Sequence, residues 1–163
     1  MEIKTYVAGP FMTNTYLIIN DKKGIIVDPT IGLEKYIDDI KKINITAILL
    51  THCHIDHIAS AHLFDAPIYM SKIDAINIKD NRINLSNTFG IPFIFPSNNI
   101  IGLDDEVLSL NNLKIECILT PGHTSGGMCF LINDSLFSGD TLFQVGIGRT
   151  DFPTGNMNDL KKS

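Results

Sequence analysis

Thr51-His52-Cys53-His54-Ile55-Asp56-His57 is the stretch around which the rest of this chain is organised. It sets three of the five histidines and one aspartate within six positions. Imidazole nitrogens and a carboxylate at this density suit zinc, iron or manganese rather than calcium. His52 and His54 are two residues apart, so in extended backbone their side chains leave the same face. Asp56 and His57 follow where the chain turns into a helix, so they can address a neighbouring position. One loop thus offers ligands to two adjacent metal positions. The preceding run, Thr46–Leu50, is apolar and rich in β-branched residues, which predicts a buried strand delivering the loop at its end. Residues 57–64 suit a short helix, with Asp56 placed to cap it.

Working outward, residues 2–8 and 14–19 alternate or run apolar and are rich in Ile, Val, Thr and Tyr. With a turn at Asp21–Gly24 and a third strand over 24–27, they predict a hairpin meander ended by Asp28-Pro29-Thr30. Leu33, Tyr36, Ile37, Ile40 and Ile43 fall at helical spacing and predict a helix over 33–43. Downstream, 66–70 reads as a strand and 72–79 as a weak helix. The Asn-, Pro- and Ser-rich segment 80–100 predicts a loop over one side of the molecule. Four strands follow, at 106–110, 113–119, 128–132 and 135–138, separated by Asn-Asn, Pro-Gly and Asn-Asp turns. Strands with interposed helices and no fixed-period repeat predict one layered α/β domain over 1–163. Asn158–Lys162 reads as a helix that has only begun when the chain stops at Ser163, so the domain is expected to be C-terminally truncated.

Bulk properties narrow the classes. At 163 residues, 44% hydrophobic and 19% charged, the chain is long and apolar enough for one sizeable core. A net charge of −5 without a Lys/Arg run argues against a nucleic-acid surface. The longest apolar stretches are too short to span a bilayer, and the N-terminus lacks a signal-peptide pattern. Three scattered cysteines, Cys53, Cys117 and Cys129, argue against a disulfide framework and for a reduced cytoplasm. The oligomeric state is not indicated.

Two later segments place further ligand types at strand ends, where rigid scaffolds hold functional groups: Leu119-Thr120-Pro121-Gly122-His123-Thr124 and Leu136-Phe137-Ser138-Gly139-Asp140-Thr141. His-x-His-x-Asp-His at 52–57, Gly-His-Thr at 122–124 and Gly-Asp-Thr-Leu-Phe at 139–143 together resemble the metallo-β-lactamase superfamily. Gly146-Ile147-Gly148-Arg149-Thr150-Asp151, Asn14-Thr15-Tyr16-Leu17 and Val27-Asp28-Pro29 are similar to its glyoxalase II branch, the hydroxyacylglutathione hydrolases. The resemblance covers essentially the whole chain and implies the four-layer αβ/βα sandwich of that superfamily.

It also implies roles. His52, His54 and His123 would bind a first metal, Asp56 and His57 a second, and Asp140 would bridge both. Zinc is the implied ion, two per full-length chain, with iron or manganese as other candidates. The family supplies one more histidine to the second ion after the Gly-Arg-Thr-Asp segment. No histidine follows His123 here, so the second site is expected to be incomplete and weak. Two ions ~3.5–4 Å apart share a hydroxide that would attack a thioester or ester carbonyl, which fits the lack of a Gly-x-Ser-x-Gly elbow. Asp56 would orient that nucleophile or accept its proton, and Arg149 would meet a carboxylate of a glutathione-like substrate.

Other readings stand beside these. A mononuclear iron persulfide dioxygenase needs only two histidines and a carboxylate, which His52, His123 and Asp140 could supply. An inactive or fragmentary family domain with a binding role would also accommodate the missing histidine. Cys53 is expected to point away from the histidine face as a small buried hydrophobe. His62 reads as surface or packing, and Arg149 equally as half of a surface salt bridge. Asp28 reads as the Asp-Pro turn that its sequence suggests, ahead of a role orienting a ligand.

Overall fold

A computed structural model describes residues 1–91, 93–95 and 99–163 of the chain. Its first sheet begins with the expected meander: β1 (Glu2–Ala8), β2 (Thr13–Asn20) and β3 (Lys23–Val27), paired antiparallel. It continues in parallel through β4 (Asn44–Leu49), β5 (Ile68–Ser71) and β6 (Ile100–Leu103), in the spatial order β1-β2-β3-β4-β5-β6. A second, antiparallel sheet has the order β10-β9-β8-β7, from β7 (Glu106–Leu110), β8 (Leu113–Leu119), β9 (Met128–Ile132) and β10 (Ser135–Phe137). The small ribbon β11 (Leu142–Phe143) and β12 (Gly146–Ile147) stands apart from both.

The period-2 geometry of strands explains why the first sheet is covered on both faces. Ile18, Ile25 and Leu49 point to the second sheet and pack with Ile115, Met128, Phe130 and Ile132. Their neighbours Leu17, Ile26 and Ile48 point the other way and pack with Leu33, Ile40, Ile55, Ile58 and Ile78 of the helical layer. The result is an α/β sandwich as expected, with three of the four expected layers among the described residues: helices, sheet, sheet. Among the described residues the far face of the second sheet is uncovered, with Val107, Ile118 and Leu136 exposed.

The helices are shorter than their apolar spacing suggests. Residues 33–43 form a 3₁₀ turn, Leu33–Tyr36, and then the single turn α1 (Ile37–Ile40). Neither has a side-chain cap, and repeated β-branched isoleucines do little to propagate a helix, so burial of Leu33 and Ile40 holds the segment instead. After the histidine loop, α2 (Ile55–Ile58) starts earlier than expected and is followed by a 3₁₀ turn, Ala61–Leu63. Asp56 does not cap it. His54 holds the cap position without a side-chain bond, and the Asp56 carboxylate turns to accept from Thr13 Oγ1 at 2.9 Å.

The expected helix over 72–79 is α3 (Lys72–Asn77), capped by Ser71, whose hydroxyl accepts from the Asp74 amide. β6, β11 and β12 were not legible, because Asn- and Pro-rich flanks hid the first and two-residue strands carry no periodicity. The loop expected over 80–100 gives way to β6 at Ile100, and its residues 92 and 96–98 lie outside the described residues. The last helix, α4 (Met157–Leu160), is one turn, capped by the Asn156 side chain and supported by tertiary contacts. Leu160 is buried, Asn156 N donates to Gly122 O (2.8 Å) and Ser163 Oγ to Pro121 O (2.9 Å).

Phe130 is among the largest fully buried side chains and lies between the two sheets. Phe130→Ala is expected to lower stability by about 3–5 kcal/mol in urea unfolding of the metal-free protein.

Candidate metal centre

Three strand ends meet at one edge of the sandwich. β4 delivers His52, His54 and, through α2, Asp56 and His57; β8 delivers His123; β10 delivers Asp140. The two sheets are tied there by the bond from Met128 N to Thr51 O (2.8 Å). Gly139 lets the Asp140 loop close on the Thr51 side chain: its φ is +49°, and a Cβ would collide with the Thr51 hydroxyl.

The histidines form one buried cluster, with His52, His54, His57 and His123 at most 4% exposed. The ring centroid of His52 lies 4.7 Å from that of His54, 4.2 Å from His57 and 4.8 Å from His123. His54 Nδ1 faces His123 Nε2 at 2.9 Å. Two sets of ligand atoms, His52/His54/His123 and His52/His57/Asp140, each fit within 4.8 Å. Asp140 spans the cluster, with Oδ1 3.2 Å from His57 Nε2 and Oδ2 3.5 Å from His123 Nε2. Asp56 Oδ2 approaches the same His57 nitrogen at 3.4 Å. All six residues expected as ligands are therefore brought together.

The fit to a metal is visible in the unsatisfied atoms. His52 Nε2 and His54 Nε2 are buried without a hydrogen-bond partner, a cost that proteins seldom accept without an ion, water or strain to explain it. Burial first, then the neighbouring imidazoles, holds the pKa of His52 and His54 well below the usual value. Their lone pairs are free for an ion. His57 differs: burial opposes its charge, but Asp56, Asp28 and Asp140 outweigh burial and raise its pKa well above the usual value. Burial likewise opposes the Asp140 carboxylate, yet the surrounding histidines, His57 foremost, bring it down to about 2. Neutral imidazoles beside an ionised carboxylate are a zinc- or iron-type donor set.

Outer partners aim the rings. Asp28 is not merely a turn residue. Its carboxylate accepts from Thr51 N (2.8 Å), Thr51 Oγ1 (2.7 Å) and His57 Nδ1 (2.9 Å), so the other ring nitrogen of His57 faces Asp56 and Asp140. Its backbone takes a left-handed φ of 50° to reach them. His123 Nδ1 donates to Arg149 O (2.7 Å), leaving Nε2 for the centre. The Asp-Pro pair masked Asp28, and nothing local marked Thr13 or Thr51.

A cavity of about 760 Å³ opens over the cluster, lined by Phe11, Met12, Phe89, Phe143 and Phe152 among others. Arg149 lines it too. Its guanidinium is held in a fork by Asp151 (2.7 and 2.6 Å) and stacks 4.0 Å from the Phe152 ring, which is the surface salt bridge of the second reading. Cys53 is fully buried, its thiol pKa pushed up by burial and by Asp74, and His62 is exposed, as expected. No helix among the described residues is long and apolar enough to cross a membrane.

This fold and ligand arrangement define a class, and comparison with known proteins agrees. The profile of the Metallo-beta-lactamase superfamily matches residues 8–163. The chain belongs to that superfamily. It is 36% identical to the "Probable polyketide biosynthesis zinc-dependent hydrolase PksB" of Bacillus subtilis, over 90% of this chain and 62% of PksB. It is 33% identical to "Hydroxyacylglutathione hydrolase GloC" of Haemophilus influenzae, over 100% of this chain and 82% of GloC. The crystal structure of the BLEG-1 B3 metallo-beta-lactamase superposes with a TM-score of 0.87 at 32% identity, covering 98% of this chain and 81% of that one.

If Asp28 fixes the His57 ring, Asp28→Ala is expected to weaken metal binding about 10–100-fold, read by competition with a chromophoric chelator.

Proposed function

We propose that this protein is a metal-dependent hydrolase of thioesters, of the hydroxyacylglutathione hydrolase (glyoxalase II) type. The observation that carries the reading is Asp140. One ionised carboxylate reaches both His57 and His123 in a cluster of four buried imidazoles that lines an open cavity. The likeness to GloC along the whole chain supports the thioester, and the zinc named for PksB supports the ion.

His52, His54 and His123 would hold one ion. Asp56 and His57 would hold the second, with Asp140 shared. Bound there, such ions supply Lewis acidity and bring the pKa of a water molecule down toward neutrality. The chain's own groups do the rest. Thr13 fixes one oxygen of Asp56, leaving the other to orient a water or accept its proton. Asp28 accepts from His57 Nδ1, and Arg149 O from His123 Nδ1, so both rings present Nε2 to the centre. Arg149 is the candidate for a substrate carboxylate. Its pair with Asp151 is solvent-exposed on both sides, and such pairs are worth little, so exchange costs little.

A second reading, a mononuclear iron dioxygenase, draws on one observation: His52, His57 and Asp140 form a compact two-histidine, one-carboxylate set. The expected carboxylate is in that set, with His57 in place of His123. Metal analysis and oxygen uptake separate the two readings.

Turnover of S-lactoylglutathione and of a second, glutathione-free thioester by the metal-loaded protein tests the proposal. Activity should vanish with a chelator, return with zinc, and fall at least about 100-fold in His52→Ala. A metal-loaded protein inert toward both thioesters overturns the thioesterase reading. Oxygen uptake with one iron bound would transfer the assignment to the dioxygenase, and cleavage of a chromogenic β-lactam alone would transfer it to a lactamase.

A further inference from the structure

Asp74 is not one of the six candidate ligands, yet it is fully buried. It sits on α3, behind the centre. Its Oδ2 accepts from Cys53 N (3.1 Å) and from Thr124 Oγ1 (2.7 Å), and its Oδ1 accepts from Asn77 Nδ2 (3.1 Å). Cys53 stands between His52 and His54, and Thr124 follows His123. One carboxylate oxygen thus clasps the two loops that carry the three-histidine set, across 21 and 50 residues of sequence. No lysine or arginine pairs with it among the described residues. A buried carboxylate without a cation is costly unless hydrogen bonds replace its hydration, so these donors are what keep it in place.

The rest of the α3 N-terminus reinforces the clasp. Ser71 Oγ donates to Gly126 O (2.5 Å) and accepts from the Asp74 amide (3.1 Å). Gly126 packs so closely that a Cβ there would lie 2.6 Å from both Asp74 N and Asp74 Oδ1. The 122–127 loop is therefore seated on α3 by side chain and by backbone. The contacts at Cys53 and Thr124 are each one residue from a histidine of the first set, so a shift of the carboxylate would change the separation between His54 Nδ1 and His123 Nε2.

We propose that Asp74 is a positioning residue that sets the spacing between the His52/His54 loop and the His123 loop, and thereby the affinity of the three-histidine set. It touches neither ion nor substrate and acts only through the two loop backbones. The proposal rests on the metal-centre reading of the site.

Zinc and cobalt(II) binding are measured by chelator competition, with the cobalt absorption spectrum and thermal unfolding of the metal-free protein alongside. Asp74→Ala is expected to weaken the tightest site about 10–100-fold and to alter the cobalt spectrum. Asp74→Asn keeps an oxygen for Cys53 and Thr124 and should recover most of the affinity. Thr124→Val removes a single donor and should cost roughly fivefold. Phe130→Ala serves as the destabilised control, with a lowered Tm and unchanged affinity. The proposal is overturned if Asp74→Ala behaves like that control, losing Tm while binding metal as wild type does. If Asp74→Ala does not fold, Thr124→Val decides: wild-type affinity overturns the proposal, a weakened site sustains it. A wild-type protein that binds neither ion sinks the metal-centre reading instead.

Discussion

The Asp28 carboxylate sits almost fully buried at the end of β3, with its two oxygens shared among Thr51 N, Thr51 Oγ1 and His57 Nδ1. Those three bonds join a strand end, the first residue of the histidine loop and a helical turn too short to hold itself. A four-residue helix has almost no intrinsic stability in water. Here α2 persists because one of its residues is anchored to Asp28 and others, Ile55 and Ile58, are packed in the core. The bend that carries the chain from β4 into α2 depends on this anchor, and with it the direction in which His57 points.

Around that anchor the centre is built from rings that would be poor core residues. Four imidazoles packed with centroids 4.2–4.8 Å apart bury nitrogen atoms that water would otherwise satisfy. Burial keeps His52 and His54 neutral, while neighbouring carboxylates favour charge on His57. A chain that needed only a stable core would place hydrocarbon here. The arrangement makes physical sense as a donor set: Asp28 holds His57 and the Arg149 carbonyl holds His123 from the outer side, while His52 and His54 each keep a buried Nε2 without a hydrogen-bond partner.

How much of this was legible depended on whether the determinant was local. The strand that delivers the histidine loop is legible because its apolar run and the loop both lie within 46–57. His123 and Asp140 stand out as candidates because each follows an apolar run at a glycine turn, and the structure brings both to the cluster. The helix at 33–43 was overestimated, since isoleucines at helical spacing report which face is buried and not whether the backbone winds continuously. β6 escaped notice because its four residues emerge from an Asn- and Pro-rich stretch. Asp28 reads locally as a turn residue because an Asp-Pro pair has that role in most contexts, and only its partners at 51 and 57 show otherwise.

The sequence by itself determined the inventory: which side chains can ligate, which strands are buried on one or both faces, and which residues end each strand. Those properties follow from residue chemistry and from periodicities of a few positions. The tertiary structure alone decided the distances between donors, the nitrogen that each ring presents, and the clasp of Asp74 on two loops. Hydrogen bonds such as His57 to Asp28, His123 to Arg149 and Cys53 to Asp74 span 21 to 29 residues. Whether such groups meet depends on how the sheets stack, and that is a property of the packed core as a whole.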